Sequence, residues 1–245
     1  MIEKNNNRIS LKSLLKLRKS DIISIVGAGG KTTLMFSLAE ELRGENKVLV
    51  TTTTKIYVPK EQQYNYIANS EDKFHYYNHM NNNGIYVYGK GINYHENKLI
   101  GLDCELLQKQ LPYFDYILIE ADGSKKKSIK GWKDNEPVIS DKTNKTIGVF
   151  SIENIGKEVN ENNIHRLERF MNITASSKGD IINIDHIIKL IFHPKGLFKD
   201  AVGEKILFIN KVENKNDIVL TKELVESVRK NNNGYIDSIV FKKLL

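Results

Sequence analysis

A short apolar run that breaks into glycines and then into Lys-Thr-Thr constrains this chain most: Ser24-Ile25-Val26-Gly27-Ala28-Gly29-Gly30-Lys31-Thr32-Thr33. Apart from Ser24, the residues from Ile22 to Val26 are β-branched and apolar, as in a buried strand. Leu34, Leu38, Ala39 and Leu42 then recur at helical spacing up to Gly44. A strand therefore delivers the glycines to a helix N-terminus. There the free backbone N–H groups and the positive end of the helix dipole favour an anion, and glycine lets the backbone approach phosphate closely. The reading is a nucleotide-binding loop over Gly27, Ala28, Gly29, Gly30, Lys31, Thr32 and Thr33. Lys31 reaches the β- and γ-phosphates of ATP or GTP, and the Thr32 hydroxyl ligates Mg2+. The general pattern asks for a sixth-residue-back glycine, and Ile25 stands there, so the loop is a compact variant. The bland alternative is a glycine-rich turn with a solvated lysine.

With 245 residues, the chain is expected to form a single α/β domain over 1–245, with an insertion at about 60–102. Hydrophobic residues at 40% and charged residues at 27% fit a soluble globular protein, and no run is long enough for a membrane span. Residues 1–10 carry three asparagines and no apolar core of a signal peptide. Cys104 is the single cysteine, which excludes an internal disulfide and a multi-cysteine metal site and fits a cytoplasmic location. The net charge of +7 is spread along the chain, with one cluster at Lys125-Lys126-Lys127 and Lys130. Solvated basic surface and attraction of an anionic substrate both account for it. No basic–aromatic signature of nucleic-acid binding is present.

Residues 10–19 form a short amphipathic segment, expected against the edge of the first strand. Lys47 to Thr53 reads as a second strand ending in four threonines; their hydroxyls either reflect β-propensity or order phosphate, magnesium or water. Residues 61–80 are ambiguous. Residues 84–91 and 98–102 suggest the two strands of a hairpin, followed by a short helix over 102–111. Further strands are expected at 146–150, 205–209 and 235–241, and helices near 162–171, 184–192 and 221–230. Alternating strands and helices of this kind imply a mostly parallel sheet covered on both faces. The histidines match no metal-site spacing.

Asp115-Tyr116-Ile117-Leu118-Ile119-Glu120 is a buried strand ending in a carboxylate, placed as in a Walker B strand to face a magnesium shell. Glu120 is taken as the metal-side acid with Thr32, and Asp122, two residues on, as its competitor for metal or water. With Lys31, these two acids are the catalytic candidates. Late in the chain Asn210-Lys211-Val212-Glu213 resembles the N-K-x-D element by which GTPases read guanine, with Glu213 in place of aspartate. The alternatives there are base recognition and a capped strand end with a solvated glutamate.

The loop resembles both the GTNGKTT-type loop of Mur ligases and the GGVGKTT-type loop of deviant Walker families. The ordered set VGAGGKTTLMFSLAEEL, VLVTTTTKI, YILIEADGSKKKSIKGW, NEPVI, HR, HPKGL and INKVE resembles the YqeC family, from about Ser20 to about Glu213. That family is described as accessory proteins of selenium-dependent molybdenum hydroxylases. The resemblance implies a P-loop NTPase-like fold, and a role in making or inserting a selenium-containing molybdenum cofactor. A molybdenum hydroxylase or a cofactor-maturation protein is then the implied partner. Three functions compete: an NTP-hydrolysing maturation factor, an ATP-dependent small-molecule ligase or kinase, and a nucleotide-dependent scaffold.

Overall fold

The structure, a computed structural model, describes residues 9–244. In chain order its first elements are α1 (Leu11–Leu14), β1 (Asp21–Gly27), α2 (Lys31–Leu42), β2 (Lys47–Thr52) and β3 (Lys55–Tyr57). Next come β4 (Tyr66–Ala68), α3 (Glu71–Asn78), β5 (Gly84–Tyr88), β6 (Gly91–Asn93), β7 (Lys98–Ile100), α4 (Cys104–Gln108) and β8 (Tyr116–Glu120). The remainder is β9 (Ile129–Lys130), β10 (Lys145–Ser151), β11 (Ile164–His165), α5 (Leu167–Thr174), α6 (Ile184–Phe192), β12 (Glu204–Asn210), α7 (Lys215–Asn231) and β13 (Ser238–Lys242).

Eight strands form one sheet in the order β13-β12-β10-β1-β8-β2-β5-β4, and every neighbouring pair is parallel. Their side chains alternate between the two faces and feed three cores, the third, under α3 and α4, taking Leu49, Tyr86, Tyr88, Ile117 and Ile119. Along β12, Ile206 and Phe208 join the cluster under α1 and α2, while Leu207 and Ile209 join the cluster under α5, α6 and α7. Both faces are thus covered, which is why these strands read as continuous apolar runs. Leu34, Leu38, Ala39 and Leu42 of α2 lie against Ile23, Ile25, Val48 and Val50, as the helical spacing predicts. Each fully buried Leu or Ile contributes about 1.5–3 kcal/mol of transfer free energy. The chain steps outward from β1 to β2, β4 and β5, returns to insert β8 beside β1, and only then crosses to β10 on the other side. This reversal puts the carboxyl end of β1 at the switch point of a doubly wound sheet, where a crevice opens.

Several local expectations change. Residues 84–88 do not form the hairpin: as β5 they pair in parallel with β2, because Ile85, Tyr86, Val87 and Tyr88 are all fully buried. The antiparallel hairpin is β6 with β7, and β3 joins it as a third strand. The ambiguous residues supply β4 and α3. The amphipathic segment sits on α2 rather than on a strand edge, with the backbone N–H groups of Leu11 and Lys12 donating to Glu41 at 2.7 and 2.8 Å. α5 starts later than expected, after Arg166 in a left-handed conformation (φ 62°). α7 starts earlier, because Asn214 and Asp217 form a reciprocal cap.

Candidate functional site

Strand β1 runs through Gly27, leaving only Ala28-Gly29-Gly30 before α2. Gly30 has φ 134°, and a Cβ there would lie 2.1 Å from Asn210 Nδ2. At Gly27 (φ 97°) a Cβ would lie 2.3 Å from the Val149 carbonyl oxygen. At Gly27 the contact is with backbone and excludes any side chain, whereas at Gly30 it is with a side-chain amide and the positive φ is what favours glycine. Two neighbouring strands hold the loop: Ala28 N–H donates to Val149 O at 3.1 Å, and Asn210 Nδ2 donates to Gly29 O at 2.9 Å. Gly30, at the cap position of α2, offers no side-chain acceptor to the first turn. The first N–H groups of a helix have no intrahelical partners, so those of α2 face the crevice as donors for an anion.

Parallel register places Glu120 beside Ile25 and Thr52, alongside the loop. Thr32 Oγ1 donates to Glu120 Oε2 at 2.6 Å. Lys31 is 4% exposed; its Nζ donates to Gly27 O at 2.8 Å and lies 3.2 Å from Asp122 Oδ1 and 3.6 Å from Glu120 Oε1. Burial disfavours the Lys31 ammonium, but the carboxylates of Asp122 and Glu120 overcome it and hold the pKa above the usual lysine value. The two acids differ. Burial pushes Glu120 upward and Asp122 adds to this, against Lys31 and the Thr32 hydroxyl. Burial also opposes ionisation of Asp122, yet Lys31, Lys130 and the Gly27 amide together keep it below the usual carboxylate range.

Asp122 Oδ2 accepts from Gly27 N, Lys130 Nζ and Trp132 Nε1 at 3.1, 3.0 and 2.7 Å. Lys130, itself buried, also donates to Gly123 O at 2.6 Å and to Glu136 Oε2 at 3.3 Å. Glu136 in turn accepts from both terminal nitrogens of Arg166, with Nη2 at 2.6 Å from Oε1. The result is a chain of alternating charge from Lys31 through Asp122, Lys130 and Glu136 to Arg166. Burial and the neighbouring Arg166 and Lys130 depress His165 to about 4. Sequence reasoning missed Lys130, Glu136 and Arg166. The available signal was a lysine set between Ile129 and the Gly131-Trp132 pair, where a solvated lysine is out of place.

A crevice of about 710 Å³ opens over these groups. Gly29, Gly30, Lys31, Thr32, Thr33, Glu120 and Lys211 line it, together with Lys55, Lys98, Lys125, Lys126, Lys127, His165 and Arg166. Asp122 is fully buried behind this wall. Asn210 serves the loop, as described, and Lys211 Nζ donates to Glu153 at 2.7 Å. Glu213 is exposed, outside the crevice lining, with its carboxylate 3.8 Å from Lys243 Nζ. Of the four threonines only Thr54 lines the crevice; Thr51, Thr52 and Thr53 donate to the carbonyls of Tyr88, Glu120 and Val138 and tie strand ends together. Among the described residues no group of three or more His, Cys, Asp or Glu side chains is arranged for a metal ion, and no helix is long and apolar enough to cross a membrane.

Fold and site together define a doubly wound parallel α/β protein whose central strand ends in a glycine-rich loop, under a cationic crevice. The chain belongs to the YqeC family, described as YqeC protein, which residues 23–168 match. It is also similar to "Uncharacterized protein YqeC" of Escherichia coli (strain K12), with 29% identity over 217 residues covering 86% of this chain and 84% of that protein.

Proposed function

We propose that this protein binds a magnesium–nucleoside triphosphate in the crevice and hydrolyses it as an accessory factor. The observation that carries the reading is the junction itself: an uncapped helix start behind glycines held at positive φ, with a buried, charged lysine and a Thr32–Glu120 oxygen pair beside it. The residues fit the ligand. The amides of the first turn of α2 bind phosphate oxygens, and Lys31 Nζ places its charge on the terminal phosphates. Asp122 keeps Lys31 protonated and oriented. Thr32 Oγ1 and the Glu120 carboxylate are hard oxygen donors suited to magnesium, which supplies charge neutralisation at the phosphates. Glu120 and Asp122 act as the metal-side acid and the loop brace respectively.

Isothermal calorimetry with Mg-ATP and Mg-GTP tests this reading. Wild type binds at least one of them, and Lys31→Ala loses at least tenfold in affinity, about 1.4 kcal/mol, with an unchanged circular-dichroism spectrum. Equal affinity in the variant rejects it. The family resemblance supports the pathway: maturation of selenium-dependent molybdenum hydroxylases or of their selenium-containing cofactor. Deleting the gene then abolishes those hydroxylases and spares selenium-independent molybdenum enzymes; equal loss of both points to general molybdenum-cofactor synthesis.

A further inference from the structure

The crevice continues well past the glycine loop, and its far end is built differently. One wall there is β3 and β7, carrying Lys55, Tyr57 and Lys98; the other is the turn after β8, carrying Lys125 and Lys126. Lys125 and Lys126 both take left-handed backbone conformations (φ 48° and 64°). Side-chain-bearing residues adopt these only at an energetic cost, and two in succession need a reason. The turn brings Lys126 across the crevice, with its Nζ 4.6 Å from the centroid of the Tyr57 ring. Lys98 Nζ approaches the same ring at 5.6 Å. The two walls therefore meet around Tyr57, which is 46% exposed despite sitting at the closure.

Charge at this end is unbalanced. Lys55 and Lys98 share a single carboxylate, Glu96, each at 3.5 Å. Lys125 and Lys126 have no carboxylate partner among the described residues. By contrast the loop end is compensated: Lys31 by Asp122 and Glu120, Arg166 by Glu136, and Lys211 by Glu153. A magnesium–nucleotide carries its own divalent cation, so it leaves the surplus at the far end unmatched. Several flexible ammonium groups converging from two walls suit a compact, multiply charged group with many acceptor oxygens.

We infer that the far end of the crevice, at Lys55, Lys98, Lys125 and Lys126, binds a second ligand: a small molecule bearing a phosphomonoester, held beside the nucleotide. The inference builds on the nucleotide reading, because it assigns the loop end of the crevice to the triphosphate.

Phenyl phosphate is a suitable probe. Wild-type protein saturated with magnesium and a non-hydrolysable triphosphate analogue binds one equivalent by calorimetry. Lys125→Ala/Lys126→Ala weakens phenyl phosphate at least tenfold and changes the affinity for the analogue less than threefold. Lys222→Ala/Lys230→Ala removes the same charge from exposed positions of α7 and leaves both affinities unchanged. Three results overturn the inference: no saturable binding of phenyl phosphate to wild type, equal weakening by the two double variants, or equal loss of the analogue in Lys125→Ala/Lys126→Ala. A nucleotide-free titration separates the two readings. If wild type does not bind the analogue, the nucleotide reading fails. Phenyl phosphate binding to Lys31→Ala protein that disappears on adding Lys125→Ala/Lys126→Ala then still supports the second subsite, and its persistence overturns it.

Discussion

Thr32 Oγ1 lies 2.6 Å from Glu120 Oε2, and this contact separates two acids that stand only two residues apart in the chain. Glu120 ends β8 and faces the crevice; Asp122 turns behind the loop into a network with Gly27, Lys31, Lys130 and Trp132. Their substitutions have different consequences. Glu120→Gln folds normally and loses the magnesium-dependent part of nucleotide affinity. Asp122→Asn strips the main counter-charge from two buried lysines and lowers unfolding free energy by about 3 kcal/mol, the scale for breaking a buried pair on one side. Urea denaturation and nucleotide titration with and without magnesium read the two effects. Loss of magnesium dependence in the Asp122 variant alone reverses the assignment.

Gly30→Ala tests the loop geometry. The backbone angle of 134° is strained for alanine, and the new Cβ meets the Asn210 amide. The expected cost is about 1–3 kcal/mol for the strain, plus the collision. Asn210→Ala removes the collision and the 2.9 Å bond to Gly29 O, so the double variant is less destabilised than the sum of the singles. Chemical denaturation of the four proteins measures this, and additivity within about 0.3 kcal/mol would remove the steric argument.

The junction was legible because each level of the sequence agrees there: a continuous apolar run, then glycines, then helical spacing, and later a second apolar run ending in Glu120. Position in the sheet was harder to read. Gly84-Ile85-Tyr86-Val87-Tyr88 alternates like a hairpin strand only if tyrosine is counted as solvent-facing, whereas Tyr86 and Tyr88 are fully buried in an aromatic cluster with Phe74 and Phe114. The ionic chain hid for another reason. Lys130 sits five residues after Lys125 in a basic segment, and beyond its flanking Ile129 and Trp132 nothing local distinguishes the buried lysine from its solvated neighbours. Glu136 and Arg166 are 30 residues apart, and nothing local pairs them.

Glu136→Gln probes that chain. It removes the carboxylate paired with Arg166 and one of the two paired with Lys130, with a half-buried site discounting the cost to about 1–2 kcal/mol. Thermal unfolding should show the loss, and a further Arg166→Gln substitution should recover part of it. Full additivity of the two would mean that the pair is not coupled.

Base selection offers a separate check. Glu213 is exposed beside Lys243 and does not line the crevice, while Asn210 is committed to the loop and Lys211 to Glu153. Glu213→Ala is therefore expected to change the ratio of GTP to ATP affinity less than twofold. A tenfold drop in guanine preference on this substitution would restore Glu213 as a reader of the base.

His165 lines the crevice between Arg166 and the lysines, and its depressed pKa gives stability a defined pH dependence. Burial is the main cause, and the charges of Arg166, Lys130 and Lys125 add to it against Glu136, so the imidazole titrates at about 4 in the fold rather than near 6.5. In that interval the unfolded chain binds the proton and the folded chain does not. Unfolding free energy from this group therefore rises with pH between about 4 and 6.5 and is level above; acidification through the window removes it. His165→Gln abolishes this contribution, so its stability falls less steeply than that of wild type from pH 6.5 to 4. A polyanion in the crevice offsets the cationic neighbours and raises the folded pKa, so phosphate ligands bind with uptake of a fraction of a proton near pH 5. Denaturation midpoints across pH 4–7 for the two proteins, and binding heats in buffers of different ionisation enthalpy, measure both effects. Parallel stability profiles for wild type and His165→Gln would show that this imidazole titrates normally in the folded chain.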